Sequence, residues 1–253
     1  MAAGAFHSLA LKSDGSVVAW GSGSGTTVPR SLPRARAVAT SASASFAVIG
    51  TALSLSTQPR DQVIAVGEIG LDKFLPELAE PVHWARQVAL FEAQLVLARE
   101  HGLPVIIHAR RCHADIVRSL QRVGHATGGI VHAFSGSVEE ARRYRQLGLH
   151  LGLGGPLTWP QAARLHRVAR ELPLDAFVLE TDAPDLVPYA HSAQHADGSS
   201  RLAGERVRNS PAFLPSVLTQ FAQLRGESEA ALATRFFRNT VTALHLQTRV
   251  AMT

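Results

Sequence analysis

From residue 62 onward the apolar positions fall into short unbroken runs that alternate with longer stretches of helical spacing. The runs are "QVIAVGE" (62–68), "LPVIIHAR" (103–110), "GGIVHAFSG" (128–136), "LHLGLGG" (149–155) and "DAFVLETDAP" (175–184). Runs this short and this solid read as strands buried within a sheet. Between them the spacing predicts helices over roughly 81–101, stopped by Gly102, over roughly 112–123, after Ser137, and from Pro160. Ser137 and Glu140 supply the S-x-x-E signature of a capping box. Five strands alternating with helices predict parallel βαβ units, hence an α/β fold.

Residues 1–60 follow another pattern. They contain "GSGSGTT" (21–27) and "AVATSASAS" (37–45), and no stretch of sustained helical period. The piece "AAGAFHSLALKSDGSVVAWGSG" (2–23) alternates, turns at Asp14-Gly15 and alternates again through Trp20, which predicts a small hairpin. Its alanine-glycine start, His-Ser-Leu-Ala-Leu and Trp-Gly end resemble one repeat of the regulator-of-chromosome-condensation type of β-propeller. One blade does not make a propeller, because each repeat buries its apolar face against neighbours. The chain is thus expected to divide into an irregular, partly β segment, 1–60, and an α/β domain, 61–253. The first is expected to pack poorly on the second and to supply it no strand.

With 253 residues, 46% hydrophobic and 18% charged, the chain has the composition of a globular protein rather than a disordered one. Its formal net charge of +5 favours polyanionic partners such as nucleic acid. That hint is weak. Only Lys12 and Lys73 are lysines, so almost all of the 25 basic residues are arginine, a bias that genome base composition alone can produce. Cys112 is the lone cysteine, which excludes an intrachain disulfide and a cysteine-based zinc cluster and suits a reducing cytosol. The longest apolar stretch, "FAVIGTALSL" (46–55), is too short to span a bilayer, so a cytoplasmic protein without membrane contact is expected.

In sheets of this kind chemistry gathers at the carboxyl ends of the strands. By the predicted boundaries Glu68 ends the first strand, His108 the second and His132 the third, and Asp182 follows the fifth. A carboxylate leaving a dry strand needs a partner. Taken singly, each residue has a plain alternative: an interior hydrogen bond for the histidines, an ion pair with Arg110 or Arg111 for Glu68, a turn cap before Pro184 for Asp182. Taken together, two carboxylates and two imidazoles on one rim suit Zn, Mn, Ni or Mg. His83, His101, His113, His125, His191 and His195 fall in helices or polar loops and are expected to be solvated.

The ordered set "VGEIGLD", "LPVIIHAR", "VHAFSGS", "GLGG" and "LETDAPDLVP", with "RNSP" (208–211) and "RNTVTAL" (238–244), resembles the TatD family of metal-dependent hydrolases, amidohydrolase-like TIM barrels. The likeness runs from about residue 62 to 246. It implies that Glu68 bridges two divalent cations, that His108 and His132 hold one, and that Asp182 binds the other and orients the attacking water. Asp182 and Glu68 are then the catalytic pair, and Mg, Mn and Zn are equally compatible. The implied activity is phosphodiester hydrolysis, removing nucleotides from DNA in the 3′-to-5′ direction. Arg110 would hold a phosphate oxygen or make a surface ion pair, and Ser135 and Gly136 would approach the substrate backbone.

The family's first strand ends in a His-x-His pair that this sequence lacks. His7 stands alone and the next histidine is His83. Three further βα units at roughly 25–30 residues each also exceed what precedes Asp61. The expected fold is therefore an incomplete TIM-type (β/α) barrel, and the expected function a deoxyribonuclease impaired at one cation. The alternative is a non-catalytic barrel remnant acting as a scaffold. An open barrel leaves strand edges uncovered, which invites self-association.

Overall fold

A computed structural model of the chain describes residues 63–192 and 207–247, together with six strand segments between Ala2 and Leu55. Strands β1 (Ala2–Ala3), β2 (His7–Leu11) and β3 (Val17–Gly21) form one antiparallel sheet, and β4 (Ala35–Thr40), β5 (Ser45–Ile49) and β6 (Ala52–Leu55) a second. β2 pairs with β3 from His7 opposite Gly21 to Leu11 opposite Val17, as the hairpin pattern predicts. Its turn at Asp14-Gly15 lies outside the described residues. Among the described residues, neither small sheet pairs with the larger one.

The larger sheet has five strands, β7 (Val66–Asp72), β8 (Val105–Arg110), β9 (Gly129–Val131), β10 (Leu149–Leu153) and β11 (Phe177–Leu179), all parallel and in sequence order. Helices α1 (Pro81–Glu100), α2 (His113–Val123), α3 (Val138–Gln146) and α4 (Ala163–Glu171) connect them in turn, and α5 (Leu214–Arg225) and α6 (Glu229–Ala243) follow the last strand. This is the α/β order that the alternation predicts, and a run of parallel strands of the kind expected from the resemblance to an incomplete TIM-type (β/α) barrel.

The first strand is displaced from its expected place. It starts at Val66 and runs to Asp72, so Glu68 sits inside the strand and not at its end. Apolar content alone did not separate the two faces. Val66, Ile69 and Leu71 are buried, whereas Glu68, Gly70 and Asp72 occupy the opposite face, where Glu68 is 47% exposed. The predicted helix from Pro160 likewise begins later, at Ala163.

Ile107, Val131, Leu151 and Phe177 from the sheet meet Leu95, Ile116, Tyr144 and Phe221 from the helices in one core. At ~25 cal/mol per Å² of apolar surface removed from water, each such side chain contributes about 1.5–3 kcal/mol. The predicted capping box is complete: the Ser137 side chain accepts from the Glu140 amide at 3.2 Å, and Glu140 accepts from the Ser137 amide at 2.7 Å. No helix among the described residues is long and apolar enough to cross a membrane.

Two histidines expected to be solvated are buried instead. His113 meets the Tyr144 hydroxyl at 3.0 Å and packs on Phe134, while His125 bonds the Gly128 carbonyl at 3.1 Å. Each has a hydrogen-bond partner, which makes burial tolerable, and burial pushes both pKa values down. His191 is half-buried, stacked on Phe213 at 3.8 Å. His83 is exposed as expected, and His195 lies outside the described residues.

Candidate metal centre

On the face of β7 opposite the core, Glu68 and Asp72 both look toward β8, whose parallel register sets Gly70 beside His108. The side-chain period of two puts the two carboxylates on one side. Gly70 is required there: at φ +150 a Cβ would fall 2.0 Å from the His108 carbonyl oxygen. His108 lies between the carboxylates, its Nδ1 3.0 Å from Glu68 Oε1 and its Nε2 3.2 Å from Asp72 Oδ2.

His132 follows β9 and repeats the arrangement. Its Nδ1 is 3.0 Å from the Glu180 carboxylate, and its Nε2 faces Asp182 Oδ1 at 3.3 Å and Glu68 Oε1 at 3.8 Å. Each imidazole thus has one nitrogen engaged by a carboxylate behind it and the other turned toward Glu68. Such outer carboxylates fix tautomer and ring orientation in metal-binding histidines. Glu180 also accepts from the Ala133 amide at 2.5 Å.

The charges reinforce one another. Hydrogen bonding to His108 holds the Glu68 carboxyl below its usual range against the opposing effect of burial. The same bond, aided by Asp72, raises His108. Burial pushes His132 down, but the carboxylates of Glu180, Glu68 and Asp182 outweigh it and lift the imidazole to about 9. Burial raises the carboxyl of Asp182.

Neighbouring segments hold these residues in place. The Gln87 side chain accepts from the Asp72 amide at 2.9 Å and donates to the Asp72 carbonyl at 3.2 Å, clamping the end of β7 to α1. Asp182 stands on a loop at φ 55, and the buried Asn209 amide donates to the Thr181 and Asp185 carbonyls at 2.6 and 2.7 Å. The same side chain therefore pins both flanks of Asp182.

The donor set suits a hard or borderline divalent cation: imidazole nitrogens and carboxylate oxygens, with no thiolate. As the side chains stand, no three of these donors among the described residues enclose one cation, because they are hydrogen bonded in pairs. Glu68 and His108 are 47% and 38% exposed, which leaves them room to turn. The residues fit such a group in chemistry and proximity.

The model of the TatD related DNase family matches residues 41–245. The chain belongs to this family. The match begins twenty residues ahead of the boundary expected at 61 and takes in β5 and β6. Residues 1–24 match the model of the Regulator of chromosome condensation (RCC1) repeat.

Among curated relatives, the chain is 43% identical over 130 residues to an uncharacterized metal-dependent hydrolase of Haemophilus influenzae, covering 51% of this chain and 50% of that protein. It is 36% identical over 185 residues to the uncharacterized metal-dependent hydrolase YjjV of Escherichia coli, covering 73% of this chain and 65% of the relative. With a protein of Pantoea vagans named 3′-5′ ssDNA/RNA exonuclease TatD it shares 36% over 204 residues, covering 79% and 72%. The crystal structure of YjjV, a TatD homologue, superposes with a TM-score of 0.59 at 37% identity, covering 72% of this chain and 64% of that one. The chain thus spans 50% and 65% of the length of the Haemophilus and Escherichia relatives.

The structure brings Glu68, His108, His132 and Asp182 into one chain of contacts, with Glu68 and His108 inside β7 and β8 and not at the strand ends expected for them. Arg110 makes no ion pair with Glu68; its guanidinium lies over the Phe74 ring, 3.4 Å from the centroid. Ser135 is exposed on the rim, whereas Gly136 is buried, and a Cβ there would meet Phe134 and the Glu140 carboxylate at 2.8 Å. Packing of the capping turn gives Gly136 a reason other than substrate approach. Asp72 and Glu180 were missed by the sequence reading although both stand inside its motifs, "VGEIGLD" and "LETDAPDLVP". The available signal was spacing: Asp72 lies two strand periods beyond Glu68, on the same face.

Proposed function

We propose that this chain is a divalent-cation-dependent phosphodiesterase acting on strands of nucleic acid. The observation that carries the reading is the pair of carboxylate-backed imidazoles facing Glu68, with Asp182 alongside. Relatives named metal-dependent hydrolase and 3′-5′ ssDNA/RNA exonuclease support it. Glu68, His108 and His132 would hold one cation, and Asp182 with Glu68 a second. When bound, such a cation makes water acidic near neutral pH and offsets charge on phosphate oxygens.

The chain's own residues do the rest. Asp72 and Glu180 would keep protons on the far ring nitrogens, so His108 Nδ1 and His132 Nε2, which face Glu68, are the atoms that would give up a proton to ligate a cation. Asp182, whose carboxyl burial raises, would orient water and take up its proton. Arg110, steadied on Phe74, would meet a phosphate oxygen.

The test is incubation of the purified protein with single-stranded DNA or RNA and Mg, Mn or Zn, beside a His132→Ala control. Release of nucleotides from the 3′ end by the native chain alone is expected. No release with any cation would overturn the proposal. The same reading extends to the edges of the sheet. β7 and β11 each pair on one side only among the described residues, so two copies are expected to associate there, which sedimentation would detect. The lone buried thiol of Cys112 suits work in the cytoplasm.

A further inference from the structure

Beside the metal centre a cavity of about 610 Å³ opens from the same rim. Its wall includes Ser135 and Asp185, three residues beyond His132 and Asp182 respectively, and continues to Trp159, Arg164 and Leu165. The Asp185 amide donates to the Asp182 carbonyl at 2.8 Å, so cavity and centre share a loop. A space of this size, largely apolar with a few polar groups, is what a small organic ligand occupies.

Two features define the ligand's chemistry. The Trp159 indole is fixed in place: Nε1 donates to the Val187 carbonyl at 3.1 Å, and Tyr189 meets the ring edge-on at a centroid distance of 5.4 Å. A held aromatic surface facing a cavity accepts a planar partner with little loss of side-chain entropy. Arg164, on the first turn of α4, forms no ion pair with any described residue. A guanidinium in that position suits a phosphate.

We infer that this cavity seats one nucleotide of the strand next to the bond being cut, its base on Trp159 and its phosphate against Arg164. The inference rests on the phosphodiesterase reading above and adds to it the residues that grip the strand. Base stacking on an aromatic ring is tolerant of sequence, because every base offers a π-face. The cavity therefore selects for an unpaired strand without choosing its sequence. A duplex, whose bases are stacked on one another, cannot present one to Trp159.

The experiment is fluorescence anisotropy of a labelled phosphorothioate strand, which resists cleavage, titrated with the native protein, Trp159→Ala, Trp159→Phe and Arg164→Gln. A strand of equal length lacking its bases is the comparison. Trp159→Ala should weaken binding by about 5- to 150-fold, and Trp159→Phe should restore most of it. The baseless strand should bind weakly and equally to the native protein and Trp159→Ala. Arg164→Gln should lower the slope of log affinity against log salt by about one. Equal affinity of native protein and Trp159→Ala for the base-bearing strand would overturn the inference.

Hydrolysis of bis(p-nitrophenyl) phosphate, a small diester without a base, separates this failure from failure of the phosphodiesterase reading. The native protein should cut it, and melting curves of the native protein and Trp159→Ala show that the variant folds. If the diester is cut while strand binding ignores Trp159, the cavity assignment is wrong and the enzyme assignment stands. If binding depends on Trp159 while neither substrate is cut, the cavity assignment stands and the enzyme assignment falls.

Discussion

The Glu180 carboxylate lies 3.0 Å from Nδ1 of His132, so the opposite ring nitrogen is the one that faces Glu68 and Asp182. Removing the charge while keeping the shape, Glu180→Gln, should leave the fold intact but loosen the ring and reduce its basicity. Losses of an outer-shell partner of this kind typically cost 10–100-fold in metal affinity, and a drop of about that size is expected here. Mn titration of both proteins, with melting curves to confirm equal stability, checks it.

Gly152 on β10 makes room for that carboxylate. A Cβ at residue 152 would fall 2.4 Å from Glu180 Oε2, closer than any contact a real Cβ makes. Gly152→Ala should therefore push Glu180 off His132 and cost about 1–3 kcal/mol of stability through overpacking. In a Glu180→Ala background the same substitution should become nearly neutral for metal affinity. A double-mutant cycle read by metal titration measures this coupling.

Asn209 and Asn239 look alike in sequence but serve different places. Asn209 fixes the loop carrying Asp182, whereas the buried Asn239 amide donates to the Leu174 and Phe177 carbonyls at 2.8 and 2.7 Å, at the start of β11. Stranding buried carbonyls costs roughly 1–3 kcal/mol, so Asn209→Ala and Asn239→Ala should each lower the denaturation midpoint. Only Asn209→Ala should also reduce hydrolysis of a phosphodiester under conditions where both variants are folded.

His150, on β10, is buried with Nδ1 lacking any partner among the described residues. Burial, with Arg145 nearby, outweighs Asp175 and a hydrogen bond to the Gly129 backbone and pushes its pKa from 6.5 to about 4. The unfolded chain takes up this proton near pH 6.5 and the folded chain does not, so the stability is complete above 6.5 and is lost as pH falls toward 4. On that account His150→Leu should be less sensitive to acid than the native protein by on the order of 2 kcal/mol at pH 5. Urea midpoints of both proteins at pH 7.5 and pH 5 test the difference.

The βα rhythm could be read from the sequence because solid apolar runs, the Ser137–Glu140 box and Gly102 mark elements through local chemistry. Glu68, His108, His132 and Asp182 could be read as one group because strands in such folds converge on one rim, although Glu68 and His108 lie inside β7 and β8 and not at their ends. Glu180 could not, since its partner is an imidazole on another element that only the fold brings near, and Asp72 was passed over although its spacing from Glu68 sets both on one face. The extent of β7 was misjudged for a related reason: an apolar run does not reveal which face meets the core. The buried His113 was missed because its partner, Tyr144, sits on another helix.

One titration bears most directly on the central claim, that Glu68 joins His108, His132 and Asp182 in a divalent-cation centre. Calorimetric titration of Mn into native protein and into Glu68→Gln, each confirmed folded, measures how many cations bind and how tightly. The account predicts one tight site, held by Glu68, His108 and His132, and a second that is weak because only Asp182 and Glu68 serve it. Both should be lost or severely weakened in Glu68→Gln. Native protein that takes up no Mn, or a variant that binds it as tightly as the native chain, would contradict the account.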